Sequence, residues 1–136
     1  MSPRELLISE TREWLERAHA DRTACGALID AGLPSEALFH SQQCAEKALK
    51  AFLVWRQKPF TKTHDLNDLK KLFLPLVATP PAQLEGIGRL TIYAWRFRYP
   101  GAPYSPDREE AERAMQMASQ LLDAIASRLN TEFSQV

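Results

Sequence analysis

The stretch PSEALFHSQQCAEKALKAFLVWRQK, from Pro34 to Lys58, decides the fold. At 100° per residue Leu38, Ala45, Ala48, Leu49, Phe52 and Leu53 fall on one wide apolar arc, which also takes in Cys44, Ala51 and Trp55. An arc this broad predicts a helix covered on several sides, the central and most buried one of its domain. His40, Gln43, Lys47 and Lys50 recur at spacings of three and four on the opposite side and form one polar strip. Gln42 lies inside the arc, where a polar group needs a hydrogen-bond partner. Lys58-Pro59 is expected to end the helix, because proline restricts the residue before it.

Working outward, Ser2-Pro3-Arg4-Glu5 starts an earlier helix: Ser2 can cap, Pro3 needs no donor, and Glu5 can return a bond to the cap. Leu7, Thr11, Trp14, Ala18, Cys25, Leu28 and Ile29 share one stripe of it, and Gly32 and Pro34 stop it. So short a link makes the two helices antiparallel. After the loop from Phe60 to Thr63, His64-Asp65-Leu66-Asn67-Asp68-Leu69 begins a short third helix that halts near Pro75. Thr79-Pro80-Pro81 opens a fourth, placing Leu84, Ile87, Thr91, Trp95 and Arg98 on one face. Two prolines and a glycine between Tyr99 and Tyr104 block its continuation. Ser105-Pro106-Asp107 starts the fifth, whose stripe is Ala111, Ala114, Ala118, Leu121, Leu122, Ile125 and Leu129. No alternating strand pattern, repeat or low-complexity tract occurs. The expectation is all-α, a five-helix up-and-down bundle in one domain over residues 1–136.

Composition narrows the function classes. Seventeen Lys+Arg balance seventeen Asp+Glu, so no overall field draws the chain to a polyanion. Hydrophobic residues at 45% fit a folded protein, and the longest apolar stretch, Ala48 to Trp55, is far too short for a membrane span. No basic-then-apolar leader opens the chain, so a cytoplasmic location without membrane association is expected. Cys25 and Cys44 are too few for a disulfide framework or a cysteine-rich zinc site and are read as reduced and buried. Charge is uneven all the same. Residues 1–43 carry four Lys+Arg and seven Asp+Glu, whereas residues 44–71 carry seven and three. The positive segment holds Lys47, Lys50, Arg56, Lys58, Lys62, Lys70 and Lys71, and His64, Arg96, Arg98, Tyr93, Tyr99 and Tyr104 supply further cations and rings. Cations hold phosphates and rings stack on bases.

Asp21 falls on the core stripe of the first helix and Arg98 on the core face of the fourth. A buried charge needs a partner, so the two are expected either to pair with each other or to line a cavity. Catalytic apparatus is sparse. The histidines are His19, His40 and His64, with no nucleophile elbow or phosphate loop. His40 and Cys44, four apart, lack the further ligands that tetrahedral zinc requires and read as a surface imidazole beside a packed thiol. Glu109, Glu110 and Glu112 read as surface residues that complement a helix N-terminus. No metal or cofactor is expected.

Trp14-Leu15-Glu16-Arg17-Ala18 with Asp21, the run Phe39 to Ala51, Thr63-His64-Asp65-Leu66 and Arg98-Tyr99-Pro100 together resemble the HEPN domain, a helical nucleotide-binding domain named for higher eukaryotes and prokaryotes. The resemblance runs from about Trp14 to about Leu129. It implies a helical bundle, frequently a homodimer, often paired with a minimal nucleotidyltransferase in a two-component system. Some members of that family are ribonuclease toxins that carry an arginine followed at four to six residues by a histidine. Arg98 matches the arginine, but positions 103 to 105 are Pro103, Tyr104 and Ser105, and no histidine follows. Tyrosine, which titrates near about 10, is a poor base at neutral pH. The resemblance therefore implies a non-nuclease member that binds a nucleotide or RNA: Lys47, Lys50 and His64 for phosphate, Arg98 for phosphate or for Asp21, Tyr99 and Tyr104 for stacking. The enzyme alternative is a metal-independent ribonuclease toxin using Arg98 with His64 or Tyr104. A purely structural alternative has Asp21, Gln42 and Arg98 satisfying one another in the core.

Overall fold

The structure, a computed structural model, describes residues 1–135. Its elements in chain order are α1 (Pro3–Asp30), α2 (Pro34–Trp55), α3 (Leu66–Phe73), a 3₁₀ helix (Ile87–Ala94) and α4 (Arg108–Ser134), with 3₁₀ turns at Leu74–Leu76 and Ala82–Leu84. Five helices and no strand are present among the described residues. Both long partners of α2, α1 and α4, pack on it and on each other, and α3 and the 3₁₀ helix close its remaining side.

The apolar arc of α2 is buried along its whole length, from Ala37 and Leu38 to Leu53 and Trp55. The seven predicted core residues of α4 are all buried. Phe52 and Phe73, rings 4.5 Å apart, join α2 to α3, and the Trp55 ring meets Phe133 at 4.8 Å to join α2 to α4. Each buried Leu or Phe contributes roughly 1.5–3 kcal/mol, so this arc is the main source of stability.

Ser2 caps α1 as expected, whereas α4 is capped by Asp107 and begins after Pro106, two residues later than a Ser105 cap patterned on Ser2-Pro3 would start it. Ser2 accepts from the Glu5 N–H at 3.1 Å and Asp107 from the Glu110 N–H at 2.8 Å, while Asp65 accepts from the Asn67 N–H at 2.9 Å. The helix ends are more informative. Gly32, at φ +77°, donates to Ile29 O and Leu33 donates to Leu28 O, so the backbone reverses and sends α2 back along α1. The same pair of bonds closes α2, from Gln57 to Val54 O and from Lys58 to Leu53 O, with Gln57 at φ +54°. The helix thus ends at Trp55 and not at Lys58, because the left-handed residue reverses the chain before Pro59 acts.

The fourth helix differs in pitch from a wheel drawn at 3.6 residues per turn. Arg89 donates to Gly86 O and Trp95 to Ile92 O, bonds of the 3₁₀ type. At three residues per turn Ile87 and Leu90 stack into the core and Tyr93 follows them, Leu84 is buried from the separate turn before Gly86, and Trp95 is 53% exposed. Arg98 lies beyond this helix, exposed at the surface, which corrects its assignment to a core face.

Candidate nucleotide-binding cleft

Asp21 is the acidic residue of α1 that the core stripe takes inward, and α2 answers it. Its carboxylate accepts from Lys47 Nζ at 2.6 Å and meets His40 Nδ1 at 2.8 Å. His40 and Lys47 are seven residues apart, two turns on one face of α2, so one carboxylate bridges both. With Nδ1 engaged, the imidazole keeps Nε2 as its free nitrogen. Asp21 does not pair with Arg98, and the proposed trio of Asp21, Gln42 and Arg98 is not formed.

Gln42 instead belongs to a second network on α2. Its amide donates to Glu46 at 3.1 Å and to the backbone carbonyl of His64 at 2.9 Å. Glu46 also accepts from Lys50 Nζ at 3.0 Å and meets His64 Nδ1 at 2.8 Å. Burial acts to raise the Glu46 carboxyl, but the hydrogen bonds from His64, Gln42 and Lys50 outweigh it and hold the group below the usual carboxylate range. Lys50, expected on the polar strip as a phosphate contact, is buried; its ammonium lies 5.5 Å from the Phe60 ring centre and 5.9 Å from that of Trp14. The reason is that α1 and the loop after α2 fold over this side of the helix. The His64 side chain is largely exposed, and the loop carrying it is fastened to α2 through Glu46.

A third cluster gathers at the start of α4. Glu110 accepts from the hydroxyls of both Tyr93 and Tyr104 at 2.7 Å, so it is an organising group, not only a surface charge at a helix terminus. Phe97 packs between the two tyrosine rings, 6.1 Å from Tyr93 and 5.2 Å from Tyr104, and Arg96 reaches over Tyr104 at 5.9 Å. The hydrogen bond to Glu110 pushes the Tyr104 phenol upward, which makes it a poor substitute for a catalytic histidine at neutral pH. Tyr99, at 70% exposure, stands apart from this cluster.

Between the first and third clusters lies a cleft of about 240 Å³, lined by Ser35, Glu36, Phe39, His40, Phe97 and Arg98. The Arg98 guanidinium sits 4.6 Å above the Phe39 ring, a cation–π contact that fixes its position without neutralising it. Arg98 and His40 thus face one space, whereas His64 lines no part of it, which leaves no route to an Arg98–His64 pair within one chain. On the other side of Asp21 a second cleft, of about 400 Å³, is lined by Glu13, Trp14, Arg17 and Lys47.

Of the seven residues picked from sequence, Arg98 lies in the first cleft, Lys47 in the second, and Asp21 between them. Tyr104 borders the first cleft through Phe97. Lys50 and His64 belong to the Glu46 network, and Tyr99 to neither. His40 was passed over as a surface imidazole. The signal that finds it is Asp21: a carboxylate on an apolar stripe demands a partner on the facing helix, and the antiparallel register offers His40 and Lys47.

Among the described residues no group of three or more His, Cys, Asp or Glu side chains converges to hold a metal, and no helix is long and apolar enough to cross a membrane. The family model described as HEPN domain matches residues 11–129. The crystal structure of TT1696 from Thermus thermophilus is similar at a TM-score of 0.75 and 29% identity, covering 86% of this chain and 96% of that one. The crystal structure of ST0689, described as an archaeal HEPN homologue, is similar at a TM-score of 0.68 and 24% identity, covering 87% of this chain and 96% of that one. No curated protein matches the chain.

Proposed function

The chain belongs to the HEPN domain family, and from that premise we propose that it is a nucleotide- or RNA-binding helical module whose ligand enters the cleft between Arg98 and His40. One observation carries this reading: Arg98, the cation that shares the cleft with His40, is held over Phe39 with no carboxylate partner among the described residues. Neutralised cations are poor anion receptors: nearby Lys47 and Lys50 are already spent on the buried carboxylates of Asp21 and Glu46, and Arg17 pairs with Glu13 at the surface. An arginine left free beside an imidazole and two aromatic rings suits a phosphate with a base stacked next to it. Glu36, also lining the cleft, disfavours a second anion there. The test is fluorescence anisotropy with labelled RNA and with ATP and GTP as competitors. Saturable binding that Arg98→Ala removes supports the reading, and no binding at low salt sinks it.

In this reading the protein acts as a homodimer and as the accessory subunit of a two-component system with a minimal nucleotidyltransferase. Trp95 and Tyr99, both exposed, are the apolar surface a second copy would cover. Light scattering that returns the 15.4 kDa chain mass at micromolar concentration would remove the dimer. Failure to co-purify with a nucleotidyltransferase encoded in the adjacent reading frame would remove the partner.

The second reading is a metal-independent ribonuclease toxin. It draws support from one feature that sequence reasoning lacked: His40, oriented by Asp21, shares the cleft with Arg98 and can stand where a downstream histidine would. A protomer then offers one imidazole for both base and acid, which is why binding without cleavage is preferred.

A further inference from the structure

The second cleft sits across Asp21 from the first, and nothing in the proposed function uses it. Each of its cations is paired. Arg17 bonds Glu13 at 3.3 Å, and Lys47 bonds Asp21 at 2.6 Å. With charge balanced, the group left to bind anything is the half-buried Trp14 ring, braced edge-on against Phe60 at 6.3 Å. A balanced site with one braced indole suits the flat face of a nucleobase better than a phosphate.

Resting on the Arg98 reading, we propose that this cleft is a base-stacking subsite, and that the ligand is a single-stranded oligonucleotide of at least three to four nucleotides running along α2 from Arg98 to Trp14. His40 and Lys47, which mark the two clefts, lie about 10 Å apart along the helix axis. A stacked strand rises about 3.4 Å per nucleotide, so a mononucleotide at Arg98 does not reach Trp14, and a strand of three or four does. The span between them is passable. The Asp21 side chain is 9% exposed and both its oxygens are taken by Lys47 and His40, so it presents no bare carboxylate to a crossing phosphate. Arg17, whose exposed pair with Glu13 is weak and exchangeable, can turn to the strand as it arrives.

The experiment is isothermal titration of 5′-phosphorylated oligoadenylates of one, two, four and six nucleotides into the parent, Trp14→Leu, Arg17→Glu and Arg98→Ala proteins. Circular dichroism and melting are recorded for each. The expected result is a rise in affinity of about tenfold between two and four nucleotides, the size of one stacked base. Trp14→Leu abolishes that rise and leaves mononucleotide affinity unchanged, and Arg98→Ala weakens every length. Arg17→Glu, an exposed change that leaves the core intact, reduces the rise even where Trp14→Leu proves too unstable to titrate. A measurable affinity that stays flat from one to six nucleotides overturns the subsite and leaves the Arg98 reading standing, as does a rise that survives Arg17→Glu. Absence of binding at six nucleotides overturns both.

Discussion

Asp21 Oδ1 and His40 Nδ1 meet at 2.8 Å across the interface of α1 and α2, with the carboxylate buried and the imidazole about one-third exposed. A buried acid that holds one face of an imidazole fixes the ring's orientation and aims its other nitrogen outward. Here His40 shares a cleft with Arg98, so a core interaction bears on the geometry of a surface site.

Asp21→Asn removes the charge that holds Lys47 and His40 while keeping the volume. A loss of about 1–3 kcal/mol in urea unfolding is expected, together with weaker binding at the Arg98 cleft. Arg98→Ala, by contrast, touches a surface residue and is expected to change stability by less than about 0.5 kcal/mol while removing ligand binding. If Arg98→Ala unfolds the protein as readily as Asp21→Asn, the division into support and contact residues is wrong.

Pure protein incubated with a labelled RNA ladder is expected to leave it intact, because no histidine follows Arg98 and His40 has no second imidazole beside it in the cleft. Cleavage that disappears in both Arg98→Ala and His40→Ala would replace the binding module with the ribonuclease reading.

Glu46 is held below its ordinary value of 4.5, so the unfolded chain binds its proton first as pH falls. Stability from Glu46 is therefore complete above about pH 4.5 and is lost as pH drops through the lower folded-state value. Glu46→Gln should flatten the acid limb of a melting-temperature profile, and an unchanged limb would show that Glu46 carries none of it. Lys50→Glu sets two carboxylates together in a buried place and should cost about 3 kcal/mol or more.

Burial drives the Cys25 thiol up to about 11 and the Cys44 thiol up to about 12, so neither forms a reactive thiolate near neutrality. Native protein at pH 8 should resist an aromatic disulfide reagent, and the denatured chain should titrate two thiols. Rapid labelling of the native protein would mean that the α1–α2–α4 interface opens readily.

Gln57 sits at φ +54° in the reversal that closes α2, a conformation costly for a residue with a side chain. Gln57→Gly should raise stability by up to about 1 kcal/mol, and a loss on substitution would show that the glutamine side chain offsets its backbone.

Four helices followed from local chemistry in the sequence. Caps at Ser2, Asp65 and Asp107 and apolar stripes at 100° spacing act within a few residues of themselves, so their outcome does not depend on distant contacts. The fourth helix needed the tertiary structure, because a period of three becomes favourable only where Ile87 and Leu90 have a surface to meet. The same divide runs through the site. Sequence marked Asp21 as a charge in need of a partner and Arg98 as a cation in a family motif, since burial cost and motif spacing are local. Which cations stay free was decided by the fold: packing of α1 and the loop after α2 consumed Lys47 on Asp21 and Lys50 on Glu46, and left Arg98 over Phe39 facing His40. Ion pairs between residues tens of positions apart depend on ångström-scale register between helices, and that register is set only when the core closes.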